Sequence, residues 1–337
     1  MNLGKSSDPI DASKDQITRP EGDQSEFVLA SVDTPLTDTD AKWADVRSED
    51  TNPARQQTGP VVIAIANQKG GVAKTTTAVS LGGALARHHQ EVLLVDLDAQ
   101  ANLTLALGKD PNRVRGSVTE VLFNSASLLS VSRETSIPGL DLVPANAEMD
   151  LAERFLPVRK DYETILRRAL RSELRPTDKA SSGSSSAPLV NTSGISPHPP
   201  SIHYDFVLLD CPPFLGAVTL NALVAADLLI IPTQAEFFSA NALRTMTAAI
   251  RQVRSQQNPN LIYRILITIF DRRNRIHREV SEQIRNAFGD GVFQTVIEID
   301  TKLRESAIEG LPITHRKSQS RSALQYVALA QELMAYV

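Results

Sequence analysis

Two lysines and a pair of glycines lie between an apolar run and a stretch of helical periodicity. The loop follows the run at 61–66, and its residues are Lys69, Gly70, Gly71, Val72, Ala73, Lys74, Thr75 and Thr76. Glycines let the backbone wrap closely around an anion, and a helix N-terminus offers unpaired N–H groups and the positive end of its dipole. Lys74 can bring a charge to the β/γ-phosphates, and the Thr75 hydroxyl can join a Mg²⁺ shell. The pattern therefore predicts a phosphate-binding loop.

The loop departs from the usual spacing G-x-x-x-x-G-K-[ST]. Gln68 and Ala73 stand where that pattern has glycines, and Lys69 is an additional lysine ahead of the Gly pair. A left-handed backbone at residue 73 would cost an alanine about 1 kcal/mol, whereas a negative φ would accept it freely. A Gly-rich turn that caps a helix, with both lysines solvated, is the simpler interpretation of the same residues.

Three aspartates follow two other apolar runs. Asp96 and Asp98 come at the end of the run 92–95, and Asp210 ends the run 206–209. Asp96 and Asp98 alternate, so their side chains begin on opposite faces of the chain. An aspartate at the carboxyl end of a buried strand is typical of an acid that holds Mg²⁺ through water, which is the role expected for Asp210. Asp96 is expected to be a structural or Mg²⁺-shell carboxylate.

The elements that must position these residues alternate between strand and helix. Apolar runs that predict strands lie at 61–66, 92–96, 140–143, 206–210, 228–232, 262–269 and 292–297. Helical periodicity is clearest at 75–88, 239–254, 277–288 and 324–336. This order predicts an α/β fold, a doubly wound and mostly parallel sheet with helices on both faces. Ligands of such sheets bind beyond the carboxyl ends of the strands, which is where the charged residues stand.

Composition separates two segments from this domain. Residues 1–59 carry 12 Asp/Glu against 6 Lys/Arg, and 14 of the 22 residues at 180–201 are Ser, Pro or Gly. Neither stretch can bury enough apolar surface to offset the entropy of ordering it. We therefore expect a disordered acidic extension at 1–59 and a domain at 60–337 with a flexible insertion at about 176–203. The single cysteine, Cys211, and the absence of any apolar run near 18 residues favour a reducing cytoplasm.

The motifs together resemble those of the ParA/MinD ATPases, whose phosphate loop is a deviant Walker A motif, and most closely the ParA/Soj partition branch. The matching segments are 67–76, 93–100, 208–213, 221–227 and 232–236. Ala73 replaces a usual glycine and Ala99 a frequent proline of that family. Between Ile297 and Asp300 the chain departs from the family pattern, so no residue is assigned to the adenine base.

The resemblance implies an ATPase that uses ATP and Mg²⁺, turns over slowly and is stimulated by a partner. Lys69 matches the family lysine that reaches the partner's phosphates across an ATP-bound homodimer, a cation supplied in trans. Asp98 matches the residue that orients the attacking water. The implied catalytic residues are thus Lys69, Lys74 and Asp98. Cys211 is expected to be a small buried residue.

A basic stretch near the C-terminus indicates a further contact. Four arginines lie within 272–278, without interleaved aromatic residues, which favours non-specific contact with DNA phosphates over base recognition. The resemblance assigns this contact to Arg273 and Lys302, with further candidates at Arg304, Arg316, Lys317 and Arg321. A solvated surface is the competing interpretation, because neighbouring Asp and Glu residues dilute the charge.

The implied partners are DNA and a ParB-like or adaptor protein, which would contact the N-terminal extension. The implied location is the cytoplasm, in association with the nucleoid. The C-terminal stretch 323–337 lacks the basic tail by which the MinD branch binds membranes, so no membrane is expected. A MinD-like spatial regulator, a P-loop transferase and a nucleotide-gated scaffold that hardly hydrolyses ATP remain the alternatives.

Overall fold

The computed structural model describes residues 59–123, 125–174, 203–237 and 239–337. The predicted acidic extension, apart from residue 59, and residues 176–202 of the predicted insertion lie outside this part of the chain. Over the described residues, no helix is long and apolar enough to cross a membrane.

The described residues form one eight-stranded sheet. Its strands are β1 (Val61–Ile65), β2 (Val92–Asp96), β3 (Arg133–Glu134), β4 (Leu140–Val143), β5 (Phe206–Asp210), β6 (Leu228–Gln234), β7 (Ile262–Phe270) and β8 (Val292–Glu298). Their order is β3-β4-β2-β5-β1-β6-β7-β8, and only the short edge strand β3 runs antiparallel. The predicted α/β fold with a mostly parallel sheet is confirmed, and each predicted strand lies within two residues of its observed bounds.

Twelve α-helices of the described residues connect and cover the strands. They are α1 (Lys74–Arg87), α2 (Asn102–Ala106), α3 (Val118–Leu122), α4 (Leu128–Val131), α5 (Met149–Phe155), α6 (Ile165–Glu173), α7 (Ala217–Ala225), α8 (Ser239–Gln256), α9 (Arg275–Phe288), α10 (Lys302–Ile308), α11 (Ile313–Arg316) and α12 (Arg321–Tyr336). The four predicted helices correspond to α1, α8, α9 and α12. Most of the others are short.

Two separate apolar cores confirm that helices cover both faces of the sheet. Successive residues of a strand point to opposite faces. In β1, Val62 and Ala64 belong to one core, whereas Ile63 and Ile65 belong to the other. Helices α3 to α8 contribute to the first core, and α1, α2, α11 and α12 contribute to the second. With both faces buried, the central strands need apolar residues throughout, which explains their uninterrupted apolar runs.

The central strands β2, β5 and β1 are paired in register, so their carboxyl ends lie side by side. Asp210 is opposite Ile65 on one side and opposite Asp96 on the other. The sheet thus brings the loop after β1 together with the two strand-end aspartates. Strands β7 and β8 run parallel to β1, so the basic segments that follow them lie along the same edge of the sheet.

Candidate functional site

The phosphate loop leaves β1 at Ala66 and enters α1 at Lys74. Two of its residues adopt left-handed backbone conformations, Gly71 with φ 74° and Ala73 with φ 68°. Glycine adopts this region readily, but an L-residue with a Cβ does so at a cost of about 1–2 kcal/mol. Because φ at residue 73 is positive, Ala73 carries this cost. A strained alanine therefore stands directly before helix α1.

Side-chain hydrogen bonds fasten the loop to β6 and β7, the two strands that follow β1 in the order of the sheet. The Asn67 side chain donates to the Pro232 carbonyl at 2.8 Å, and its amide oxygen accepts from the Lys69 N–H at 3.0 Å. Further along the loop, the Thr268 hydroxyl of β7 donates to the Val72 carbonyl at 3.0 Å. Both anchoring side chains are buried. These bonds fix the loop's path before any ligand is present, so a phosphate would meet a largely preformed backbone.

Lys74 turns back into the loop. Its side chain is largely enclosed, with only 8% of the residue exposed, and its ammonium donates to the Lys69 carbonyl at 3.2 Å. Burial lowers the pKa of Lys74, while the nearby Asp210 carboxylate opposes that shift. Thr75 and Thr76 follow it in the first turn of α1, where both are half-buried. A buried cation held at a helix N-terminus is well placed to neutralise an anion.

Lys69 takes a different direction. Its ammonium donates to the Glu236 carboxylate at 2.6 Å and to the Gln234 side-chain oxygen at 3.0 Å. In the single chain, the lysine expected to act across a dimer is therefore held by its own β6 loop. Glu236 lies in one of the segments that resemble the family, but the local pattern gives it no role, because it is 167 positions from Lys69.

Asp96 is fully buried and its carboxylate accepts three hydrogen bonds. They come from the Thr104 N–H at 2.8 Å, the Thr104 hydroxyl at 2.7 Å and the Asp98 N–H at 3.2 Å. Burial raises the pKa of Asp96 to about 6, and the bonds from Thr104 limit the rise. These bonds fix the turn that carries Asp98 and the start of α2, which favours the structural of its two expected roles.

Asp98 lies half-buried just beyond β2. One of its oxygens accepts the Gln100 N–H at 3.0 Å. The sheet register places the turn beside the end of β5. The charge of Asp98 acts on the pKa values of Lys74 and Asp210, so Asp98 lies near both groups.

Asp210 is the most exceptional group of the site. It is fully buried, and neither of its carboxylate oxygens has a hydrogen-bond partner within the described part of the chain. Burial raises its pKa well above the usual range, and the charge of Asp96 adds to this, while the Thr75 hydroxyl and Lys74 oppose it. Buried polar groups are normally satisfied, so this carboxylate calls for a missing partner. Cys211 beside it is a buried thiol whose pKa is raised by burial, as expected for a residue without nucleophilic function.

The residues around Asp210 fit a hydrated magnesium ion. Mg²⁺ is usually held by one or two carboxylates together with substrate phosphates and several waters. Asp210 offers a carboxylate without partners, and the adjacent Thr75 offers a hydroxyl at the helix start. The charge of a divalent cation would also stabilise the ionised form of Asp210.

The basic end shows the opposite arrangement. Arg273 follows β7 with its side chain 91% exposed, and its guanidinium forms two bonds of 3.1 Å to Asp271. Lys302 begins α10 after β8 and is exposed as well. The structure thus places both residues beyond neighbouring strands, β7 and β8.

Several other basic candidates are engaged with acids. Arg321 pairs with the buried Glu298 at 3.1 Å, and Arg272 pairs with the same carboxylate at 2.8 Å. Arg316 pairs with Glu305 and Glu309. For Arg304 and Lys317, no ion pair is found among the described residues. The basic end is therefore less positive than its arginine content indicates.

A family profile, proteins of similar sequence and solved structures all match most of the described residues of this chain. A family profile described as "AAA domain" matches residues 61–176 and 200–263. The chain is 35% identical to the chromosome partitioning protein ParA of Caulobacter vibrioides, covering 81% of this chain and 94% of the relative. It is 34% identical to the sporulation initiation inhibitor protein Soj of Bacillus subtilis, covering 81% and 98%. Among solved structures, a cobyrinic acid a,c-diamide synthase from Mycobacterium smegmatis with bound ATP analogue and magnesium is 32% identical. It matches with a TM-score of 0.64 over 82% of this chain and 94% of that one.

Proposed function

Because the chain belongs to the ParA/Soj-type family of partition ATPases, we propose that it is an ATP-dependent positioning ATPase whose ATP-bound dimer binds DNA non-specifically. Partner-stimulated hydrolysis releases the dimer, and the cycle segregates a plasmid, a chromosome or another cargo. The observation that carries the nucleotide part is the buried Asp210 carboxylate without partners beside Lys74 and Thr75.

ATP and Mg²⁺ are the ligands of this proposal. The related M. smegmatis structure holds an ATP analogue and magnesium, and the residues around Asp210 suit the same pair. Backbone N–H groups at 70–75 bind the phosphates, Lys74 neutralises the β/γ-phosphates, and Thr75 and Asp210 face the ion, Asp210 through water. Bound Mg²⁺ neutralises charge that develops on the transferring phosphoryl group.

Asp98 orients the attacking water. The turn that carries it is fixed by the three hydrogen bonds to Asp96, so its carboxylate is positioned by the sheet rather than by a mobile segment. Holding a water in line with the γ-phosphate lowers the barrier mainly through positioning.

Lys69 completes the site of a second copy. In the single chain it is held by Glu236 and Gln234, so dimer formation exchanges this ion pair for one with the partner's nucleotide phosphates. Two protomers also bring two copies of Arg273 and Lys302 together. The dimer then engages about four phosphates where a monomer engages about two, which makes DNA binding dependent on ATP.

The further partners follow from the same cycle. A ParB-like or adaptor protein that stimulates hydrolysis would dissolve the dimer, and residues 1–59 are proposed as its contact. A protein held on chromosomal DNA in this way would be cytoplasmic and associated with the nucleoid.

One experiment tests the proposal. Gel-shift titrations on unrelated DNA sequences, each run with ATP, ADP or no nucleotide in the presence of Mg²⁺, should give binding with ATP alone. Light scattering should show a dimer under the same condition. Strong DNA binding without nucleotide would contradict the ATP-gated dimer. Recruitment to anionic lipid vesicles in place of DNA would favour a MinD-like regulator, and ATP-dependent dimers without turnover would favour a scaffold.

A second candidate is the activity named for the M. smegmatis relative, because that structure is 32% identical over most of both chains. ATP consumption that depends on added cobyrinic acid, and not on DNA, would favour it. The partition proposal expects no effect of cobyrinic acid on turnover.

A further inference from the structure

The loop that follows Asp210, residues 211–216, is held at both ends. At its start the Cys211 N–H donates to the Ile65 carbonyl of β1 at 3.1 Å. Near its end the Thr219 hydroxyl donates back to the Phe214 carbonyl at 2.7 Å. The loop therefore has little freedom of its own, and whatever holds its end also affects how Asp210 is presented.

Its end is held by a side chain from another layer of the chain. Helix α7 begins directly after Gly216, which has no side chain to cap the helix. Glu153 of α5 supplies the cap: its two carboxylate oxygens accept from the Ala217 N–H at 2.5 Å and the Val218 N–H at 3.1 Å. The first N–H groups of a helix have no intrahelical partner, and a carboxylate there also favours the helix dipole.

Residue 216 must be a glycine because of this contact and not because of its backbone conformation. Its φ of −104° and ψ of −165° are extended values that any residue adopts. A Cβ at this position would overlap the Glu153 carboxylate and approach the Phe214 ring to 2.8 Å. The missing side chain of residue 216 is the space that the Glu153 carboxylate occupies.

Helix α5 is in turn connected to the other acidic strand end. The second residue of the loop between β4 and α5 is Ala145, whose N–H donates to the Thr104 hydroxyl at 3.0 Å. That hydroxyl donates to Asp96 at 2.7 Å. Helix α5 and the loop before it therefore connect the turn that carries Asp98 with the loop that follows Asp210.

We propose that Glu153 is a positioning residue for Mg²⁺-dependent hydrolysis, which it serves by holding the 211–216 loop so that Asp210 faces the phosphate loop. This role rests on the ATPase function proposed above. Glu153 does not touch the nucleotide; it acts through α7 and the loop. Groups that orient the ligands of a metal change metal affinity or activity by about 10–100-fold when they are removed.

The first test separates ion binding from nucleotide binding. Glu153→Ala should leave the affinity for an ATP analogue without Mg²⁺ within about twofold of wild type. The Mg²⁺ concentration that half-saturates the nucleotide complex should rise about tenfold, and kcat should fall about tenfold with little change in KM. Glu153→Gln retains one carbonyl acceptor, so its Mg²⁺ requirement and its kcat should lie between those of wild type and those of Glu153→Ala. Asp150→Asn, at an exposed acid of the same helix, is the matched control and should behave as wild type.

The second test needs no nucleotide. Urea unfolding of wild type, Glu153→Ala, Gly216→Ala and the double variant forms a double-mutant cycle. Gly216→Ala should clearly lower the unfolding midpoint in the wild-type background. It should have a smaller effect beside Glu153→Ala, where the overlap with the carboxylate is gone and only the close approach to the Phe214 ring remains.

Each result has a distinct meaning. Equal effects of Gly216→Ala in both backgrounds would show that the contact is absent and would overturn the proposal. Coupled unfolding with unchanged Mg²⁺ dependence and kcat would reduce Glu153 to a helix cap and overturn it as well. A wild-type chain that binds no Mg²⁺–nucleotide would overturn the proposed function and this role with it, while leaving the unfolding cycle intact.

Discussion

Two regions at the same edge of the sheet carry charge in opposite ways. Beyond β1, β2 and β5 the charges are few and buried: Lys74, Asp96 and Asp210 are each at most 8% exposed, and Asp210 has no hydrogen-bond partner among the described residues. Beyond β7 and β8 the charges are many and exposed, and most are already paired, as Arg273 is with Asp271. A buried charge without a partner is expensive, so its presence indicates a ligand, whereas exposed ion pairs contribute little.

The comparison explains why the two regions support unequal conclusions. At the buried end, geometry alone calls for a cation and an anion. At the basic end, a single chain presents a largely compensated surface, which by itself calls for no ligand. Variants at the buried end should accordingly have the larger effects.

The largest effect is expected for Lys74→Ala. Truncating a buried cation that faces the β/γ-phosphates should abolish ATP binding at micromolar concentrations, a loss of at least about 3 kcal/mol. Equilibrium titration with a fluorescent ATP analogue measures it. Lys160→Ala, at an exposed lysine, is the control. If Lys74→Ala binds the ATP analogue as tightly as wild type, the buried end does not bind nucleotide phosphates, and the proposed difference between the buried end and the basic end is wrong.

Asp98→Ala should spare binding and slow turnover. ATP and Mg²⁺ affinity should persist, because neither Lys74 nor Asp210 is altered, while the rate of hydrolysis should fall about 100-fold as the water loses its orientation. Light scattering should then show an ATP dimer that lasts much longer than in the wild type. Normal turnover would remove Asp98 from this role, and Asp110→Ala serves as the exposed control.

At the basic end, Arg273→Glu with Lys302→Glu should remove most DNA binding without changing ATP affinity. For the wild-type dimer, the slope of log K against log salt should be roughly −3 to −4, since about four phosphates are neutralised. Arg113→Glu with Arg168→Glu changes the net charge equally at exposed arginines elsewhere and should have little effect. If both double variants bind DNA alike, the basic end is a solvated surface.

Asp210→Asn should stabilise the nucleotide-free protein by about 1–3 kcal/mol while it impairs Mg²⁺-dependent nucleotide binding. Because the folded protein raises the pKa of Asp210, it holds that proton more tightly than the unfolded chain does. Stability conferred by the neutral form is complete below the unfolded pKa near 4 and is lost as pH rises toward the higher folded pKa.

Urea unfolding between pH 4 and pH 8 measures this. The advantage of Asp210→Asn over wild type should grow from about pH 4 upward. Asp96, whose pKa is raised to about 6, should make the wild type lose further stability between about pH 4 and 6. A variant less stable than wild type at pH 7 would show that Asp210 has a partner in the free protein.

The sequence predicted the buried strands and the four longest helices, and it missed the shorter helices. The strands were readable because central parallel strands have continuous apolar runs. Helices such as α2, α3 and α4 have only four or five residues, too few to show a period, and they depend on caps. One such cap is Glu173, which accepts from the Leu128 N–H at 3.0 Å and the Leu129 N–H at 3.1 Å.

The same distinction holds within the candidate site. The phosphate loop and the strand-end aspartates were evident from local spacing. The pairing of Lys69 with Glu236 and the cap that Glu153 places on α7 join residues far apart in the chain, so local pattern could not reveal them. Whether residue 73 has a positive φ was also undecided, because loop backbone angles depend on the anchors to β6 and β7.

The smallest effect is expected at that residue. Ala73 has φ 68° and ψ 35°, a conformation that costs an L-residue about 1–2 kcal/mol, while glycine's greater freedom in the unfolded chain returns about 0.5–1 kcal/mol of that difference. Ala73→Gly should therefore stabilise the nucleotide-free protein by about 0.5–1 kcal/mol and raise the thermal midpoint by about 1–4 °C. Ala307→Gly, at an exposed position inside α10, should have the opposite sign and cost about 1 kcal/mol, because there the backbone is helical. Thermal unfolding of the two variants compares one alanine at each end of the sheet edge. If both variants lose stability, residue 73 does not hold a left-handed backbone in solution and neither region is strained. If Ala73→Gly gains stability while Ala307→Gly loses it, the backbone strain lies at the nucleotide end, where ligand binding can compensate for it.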